Sequence, residues 1–259
     1  MRLKVRSELV FDFQPDTETI VSIQAASSSD QAIVSEALDV TPPVNILQDE
    51  ADERGERRFR AVLSGRTTLL YEAVVDNGRR LSLPAGLRQH PWRELPRQAL
   101  QYLTPSRYCP SDKFYRFAFR EFGAQPDGGA RVLAVLDWIY SHVDYISGVS
   151  NAETTAERTF VDRAGVCRDF SHLGITLCRA LNIPARAVSA YAWRLDPPDF
   201  HAVFEVFLNG GWWLVDPTRL APVDGLVRIG VGRDAADIAF LTTSVYCNSL
   251  SQSVTVEEA

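Results

Sequence analysis

Apolar and polar positions alternate with period two through most of the first 85 residues. The runs LKVRSELVFDF (3–13), ETIVSIQAA (18–26), RFRAVLSG (58–65) and TTLLYEAVV (67–75) are rich in β-branched and aromatic side chains, which suit a pleated, half-buried surface. Turn-forming or charged stretches separate them: Ser27-Ser28-Ser29-Asp30, the mixed-charge run Asp49 to Arg58, and Asp76-Asn77-Gly78. Short strands at this spacing predict a small antiparallel β-sandwich over 1–85. Five prolines, at 84, 91, 96, 105 and 110, then fix torsions and remove donors that long regular elements need. Residues 86–110 therefore read as a proline-rich connection, packed against a neighbouring domain by Trp92, Leu95, Leu100, Tyr102 and Leu103.

Beyond the prolines the period lengthens. RVLAVLDWIYSHV places apolar residues at 132, 133, 135, 136, 139, 140 and 143, one helical stripe after the breaker Asp127-Gly-Gly. A second helix is predicted from about Cys167 to Leu181, with Phe170, Leu173, Leu177 and Leu181 on one side and a stop at Asn182 and Pro184. Strand patterns follow in ARAVSAYAW, HAVFEVFL and WWLVD. Residues 111–259 thus form a second, α+β domain.

Composition narrows the function classes. The chain has 259 residues, 46% hydrophobic and 23% charged, as folded globular domains do. A formal net charge of -6 offers no basic field to neutralise phosphates, which argues against a nucleic-acid partner. No segment approaches the ~18 apolar residues of a membrane span, and MRLKVRSELVFDF lacks a signal-peptide core, so no membrane association and a cytoplasmic location are expected. The cysteines at 109, 167, 178 and 247 contain no C-x-x-C pair, which argues against disulfide frameworks, metal sites and a cofactor held by them.

Two segments carry candidate chemistry. In RAGVCRDFSHLGITLCRAL, Cys167 stands where the second helix starts; there the positive end of the helix dipole favours thiolate, and free N–H groups can meet an oxyanion. In HAVFEVFLNGGWWLVD, Asn209-Gly210 is a hairpin signal. A two-residue turn pairs Leu208 with Gly211 and Val203 with Asp216, which puts His201 and Asp216 diagonally on one face, close enough to hydrogen-bond. With Gly211 inside the turn the register slips by one and Asp216 changes face unless a bulge restores it. A carboxylate on one imidazole nitrogen leaves the other to take a proton from a thiol.

GVCRDFSHLGITLCRALNIPAR followed by HAVFEVFLNGGWWLVDPT resembles the transglutaminase-like core of bacterial proteins, and YLTPSRYCPSD with RIGVGRDAADIAF resembles a bacterial subgroup with an extra N-terminal β domain. The resemblance implies a papain-like α+β fold, a helix bearing the cysteine packed on an antiparallel sheet bearing histidine and aspartate, preceded by the N-terminal β-sandwich. It implies a catalytic triad of Cys167, His201 and Asp216 and acyl transfer through a thioester, without cofactor. The substrate class is a peptide, protein or small amide; water as acceptor makes a protease or amidase, an amine makes a transglutaminase. A non-catalytic peptide-binding module is the rival from another class, and peptide deglycosylation is disfavoured by the missing paired C-x-x-C motifs. Many family members carry Trp two residues after the histidine; Val203 here is expected to reshape the acyl groove. Tyr145 and Trp138 are both candidates for a side-chain oxyanion donor.

The remaining reactive residue types have plainer readings. Cys178 lies mid-helix beside Leu177 and Leu181 and is expected in the core; Cys109 and Cys247 have no neighbouring base and are expected to pack inertly. His172 follows Cys167 by five residues, a rotation of about 140° on a helix, and is expected to face solvent. Asp169 in the first turn is read as stabilising the helix, and Gly230-Val-Gly232 lacks a dinucleotide fingerprint.

Overall fold

The computed structural model describes residues 1–259. The period-two segments become long strands: β1 (Arg2–Val21), β2 (Ala32–Thr41), β3 (Leu47–Gln48) and β4 (Phe59–Asp76). β1 and β4 pair antiparallel from Arg2↔Asp76 to Val21↔Phe59, with one register shift between Phe13 and Thr17. The four short strands expected in 3–26 and 58–75 are therefore two, because the irregularity bends β1 instead of ending it. β2, whose side chains are mostly exposed, joins β4 and carried too little alternation to be read.

The connection to the second half contains α1 (Arg97–Leu100), and the helical region comprises α2 (Tyr115–Phe122), α3 (Gly129–His142), β5 (Asp144–Tyr145), α4 (Ala156–Asp162), β6 (Ala164–Gly165) and α5 (Cys167–Ala180). Then β7 (Ala185–Ala192), β8 (Phe200–Leu208), β9 (Gly211–Val215) and β10 (Leu226–Gly232) make a four-stranded antiparallel sheet in the order β10-β7-β8-β9. α5 lies on this sheet, with Leu173, Leu177 and Leu181 packed among Ala185, Ala187, Phe204, Val206 and Leu208. Gly174 permits the close approach: a Cβ there would come within 2.5 Å of the Phe204 ring.

The N-terminal strands form one sheet, and it packs against the sheet of β7, β8 and β10. Leu3, Val5, Leu9, Phe59, Leu69, Tyr71 and Val75 share a buried cluster with Tyr191, Phe200, Val227 and Ile229 from β7, β8 and β10. The chain's end returns to the first sheet: β11 (Leu241–Thr243) and β12 (Asn248–Glu258) both pair with β1. The expected division into 1–85, 86–110 and 111–259 is thus crossed by hydrogen bonds, since 241–258 belongs to the N-terminal sheet. β12 reads NSLSQSVTVEE with one buried residue, Val254, so its place is set by β1's unpaired edge more than by its own pattern. The proline-rich connection lies along the second sheet, with Leu95 and Ala99 against Phe207 of β8 and the Tyr102 carbonyl accepting from Ala185 N–H. No helix is long and apolar enough to cross a membrane.

Candidate functional site

Cys167 is the first residue of the 14-residue α5 and is partly exposed, so its thiol is open to solvent at the helix start. The helix start is fixed by Asp169, whose wholly buried carboxylate accepts the Val166 N–H at 2.9 Å. Asp169 therefore organises the turn that carries the thiol, as the first-turn reading expected.

The hairpin has the two-residue turn. Asn209 and Gly210 take φ of 50° and 81°, Leu208 pairs with Gly211 and Phe204 with Val215, which carries Val203 opposite Asp216. His201 and Asp216 consequently meet: imidazole Nε2 lies 3.0 Å from Asp216 Oδ2 in a buried setting. Three further donors hold the carboxylate: Thr218 N–H at 2.9 Å and Thr218 Oγ–H at 2.7 Å on Oδ1, and Ala221 N–H at 3.1 Å on Oδ2. Burial opposes its charge, but the His201 and Thr218 bonds outweigh burial and hold Asp216 below the usual carboxylate range. Thr218 was not singled out by sequence reasoning; the Asp-Pro-Thr turn was its only signal.

For His201 burial again disfavours the cation, yet the Asp216 bond, then the Cys167 thiol, raise the imidazole to about 10. With Nε2 occupied by Asp216, Nδ1 is the nitrogen left for the thiol; it is buried and makes no hydrogen bond of its own. The arrangement can hold a thiolate–imidazolium pair and return a proton to a leaving group.

Residues 117–217, which contain all three of these side chains, match the family model described as the transglutaminase-like superfamily. The crystal structure of a "Putative Cysteine Protease" from Cytophaga hutchinsonii is 40% identical, covers 99% of this chain and 90% of its own, and superposes with a TM-score of 0.92. The chain belongs to the transglutaminase-like superfamily. It has the cysteine-based catalytic fold of that superfamily, and the Cytophaga structure aligns over the N-terminal sheet as well. Among curated relatives, "Uncharacterized protein ML0607" of Mycobacterium leprae is 28% identical over 66% of this chain and 65% of its own length. "Uncharacterized protein Rv2569c" of Mycobacterium tuberculosis is 32% identical over 43% of this chain and 40% of its own. The chain thus aligns with less than two thirds of these curated relatives.

Within the transglutaminase-like fold the two candidate oxyanion donors separate. Tyr145, in the short parallel β5–β6 ladder opposite Gly165, places its phenol near enough to Cys167 to feel the thiol's charge. Burial first, then the Cys167 charge, push the phenol up to about 12, so it keeps its proton at neutral pH and remains a donor. Trp138 instead packs in the helical core, stacked on His142 and Phe160 with Arg163 over its ring. Val203 is wholly buried opposite Val188 and lies in the small apolar cluster of the sheet, which removes it from the groove.

His172 corrects the solvent-facing expectation. It is buried, stacked parallel on Tyr108 at 5.0 Å, and its Nε2 accepts the Ala235 N–H. The face turned away from Cys167 is covered by the 106–110 and 233–236 segments, which helical rotation alone does not reveal. Cys109 and Cys178 are fully buried, as expected; burial pushes Cys109 up to about 12 and Cys178 higher still.

Proposed function

We propose that this protein is a cysteine-dependent hydrolase of amide bonds, in which Cys167 attacks a peptide or other amide, His201 serves as base and then acid, and Asp216 orients the imidazole. The observation that carries the reading is the buried His201–Asp216 pair set beside a thiol that opens a helix. His201 passes its proton to the leaving amine as the tetrahedral intermediate collapses to a thioester at Cys167, then activates the water that releases the acid. Tyr145 is the side-chain donor to the oxyanion. A binding module needs only a groove; nothing in peptide binding calls for a buried carboxylate with four donors behind a histidine.

Alkylation with iodoacetamide, located by mass spectrometry, tests the nucleophile. Cys167 reacts ahead of the half-buried Cys247 near pH 6, and His201→Ala removes that lead. Equal labelling of Cys167 and Cys247, or no change in His201→Ala, refutes the triad. Turnover of a peptide library with and without added primary amine then identifies the acceptor: products bearing only water support hydrolysis, and amine adducts in excess replace it with transglutamination.

A further inference from the structure

Two arginines beside the catalytic pair are held in a backbone conformation that arginine rarely adopts. Six non-glycine residues have positive φ: Asp16, Arg163, Asn182, Arg194, Asn209 and Arg219. Asp and Asn tolerate the left-handed region, and Arg163 closes the end of α4. Arg194 and Arg219 have neither explanation. Such conformations are strained and persist where the surrounding structure imposes them.

Both residues line one cavity of about 570 Å³ whose inner wall includes Asp216, with Leu220, Ala221, Pro222 and Val223 as its apolar side. Arg194 pairs with no carboxylate; its guanidinium lies over the Trp193 ring at 3.9 Å, leaving its edge free for an acceptor. Arg219 lies over Tyr140 at 4.4 Å and reaches Asp137, a highly exposed partner on α3. The cavity's own acids are Asp216, matched by the His201 cation, and Asp224. A third arginine on the wall, Arg80, spends its guanidinium elsewhere, on Asp30, Gln31 and the Leu226 carbonyl.

Resting on the proposed amide chemistry, we infer that this cavity is a substrate subsite for a carboxylate, recognised by Arg194 and Arg219. Planar guanidinium groups fixed on aromatic rings suit bidentate carboxylate binding. Asp216 links this cavity to the catalytic pair: it forms part of the cavity wall, and its Oδ2 lies 3.0 Å from His201 Nε2. The carboxylate recognised is either an acidic side chain or a free C-terminus of the peptide.

Full-length Cys167→Ala, immobilised, is exposed to randomised hexapeptides made with free or with amidated C-termini, and captured peptides are sequenced by mass spectrometry. Carboxylate-bearing peptides are expected to be enriched about tenfold over their amide counterparts, with the gain lost at about 0.5 M salt. Enrichment of Asp and Glu identifies the side chain, and enrichment confined to free C-termini identifies the terminus. Arg194→Gln/Arg219→Gln in the same background, its fold checked by circular dichroism, abolishes the preference. Equal capture of acids and amides, or a preference that survives the double substitution, overturns the inference. Capture does not require catalysis, so failure of wild-type protein to turn over peptides tells against the hydrolase reading alone.

Discussion

Asp216→Asn isolates the carboxylate's contribution with almost no change of shape. The raised His201 value, from 6.5 to about 10, corresponds to roughly 5 kcal/mol favouring the cation. Asp216 precedes Cys167 among the groups that raise it, and burial pulls the other way. Neither orientation of an asparagine amide restores the site. If its oxygen accepts from His201, its NH2 meets the Thr218 N–H that now donates to Oδ1; reversed, NH2 faces the imidazole and the Ala221 N–H. With the charge gone, burial dominates and His201 becomes neutral near pH 7. Cys167 alkylation at pH 6 is expected to fall about 10²–10³-fold, a fraction of the full effect because the thiol keeps its own influence on the ring. Stability carries the same signature. The folded value lies above the unfolded one, so the pair's contribution is complete below about pH 6.5 and is lost as pH rises through about 10. The denaturation midpoint of the wild type declines over that window and that of Asp216→Asn does not. An unchanged alkylation rate at pH 6, or parallel pH–stability curves, refutes the account.

Three further outcomes follow from particular contacts. Gly174→Ala gains about 1 kcal/mol of helix propensity but drives a methyl to 2.5 Å from the buried Phe204 ring; overpacking costs about 1–3 kcal/mol, so net destabilisation is expected by urea titration, and Phe204→Leu in the same chain reverses its sign. His172, held neutral by burial at about 4, binds fewer protons than the unfolded chain as pH falls from 6.5; stability drops by up to roughly 3 kcal/mol over that window, and His172→Phe flattens the slope in acid melts while leaving the Ala235 N–H without its acceptor. Tyr145→Phe lowers kcat on a turned-over peptide about 10–100-fold with little change in KM; an equal rise in KM would mean that the phenol binds substrate and not the oxyanion.

The hairpin that pairs His201 with Asp216 was legible because its determinants are local. Asn209-Gly210 selects the turn, the turn sets the register, and the register brings His201 to Asp216. The start of α5 was equally local: an apolar stripe with a glycine before it and Asp169 in its first turn. The path of the C-terminus was not, because β12 has a polar sequence and owes its place to ten pairings with β1, from Leu3↔Glu258 to Asp12↔Asn248. His172 was misplaced for the related reason that its covering segments lie more than 60 residues away on both sides, at Tyr108 and Ala235. Tyr145 and Trp138 were indistinguishable in sequence, since each is an aromatic near the helical stripe; only the β5–β6 ladder brings one of them to the thiol.

The same nonlocality bears on what the N-terminal sheet contributes to the site. Behind the hairpin, Glu205 of β8 is wholly buried between Arg186 of β7 and Arg228 of β10, and Arg228 continues to Asp30 at 3.0 and 3.2 Å. Gln31 completes the joint, accepting the Arg228 N–H and donating to the carbonyls of Ala26 and Arg228. Taking such charges from water costs several kcal/mol per ion, which their attraction roughly offsets, so the ladder adds little net stability over an apolar packing of the same volume. Breaking one rung is different, costing about 3–5 kcal/mol through an uncompensated buried charge. The ladder ties the 26–31 segment to the second sheet at Asp30 against Arg228 and at Gln31 against the β10 backbone. Four residues along β8 from Glu205 stands His201. The N-terminal sheet, by fixing β7, β8 and β10 through these side chains and through the apolar contacts of Tyr191 and Phe200, holds the strand that delivers the imidazole to the thiol.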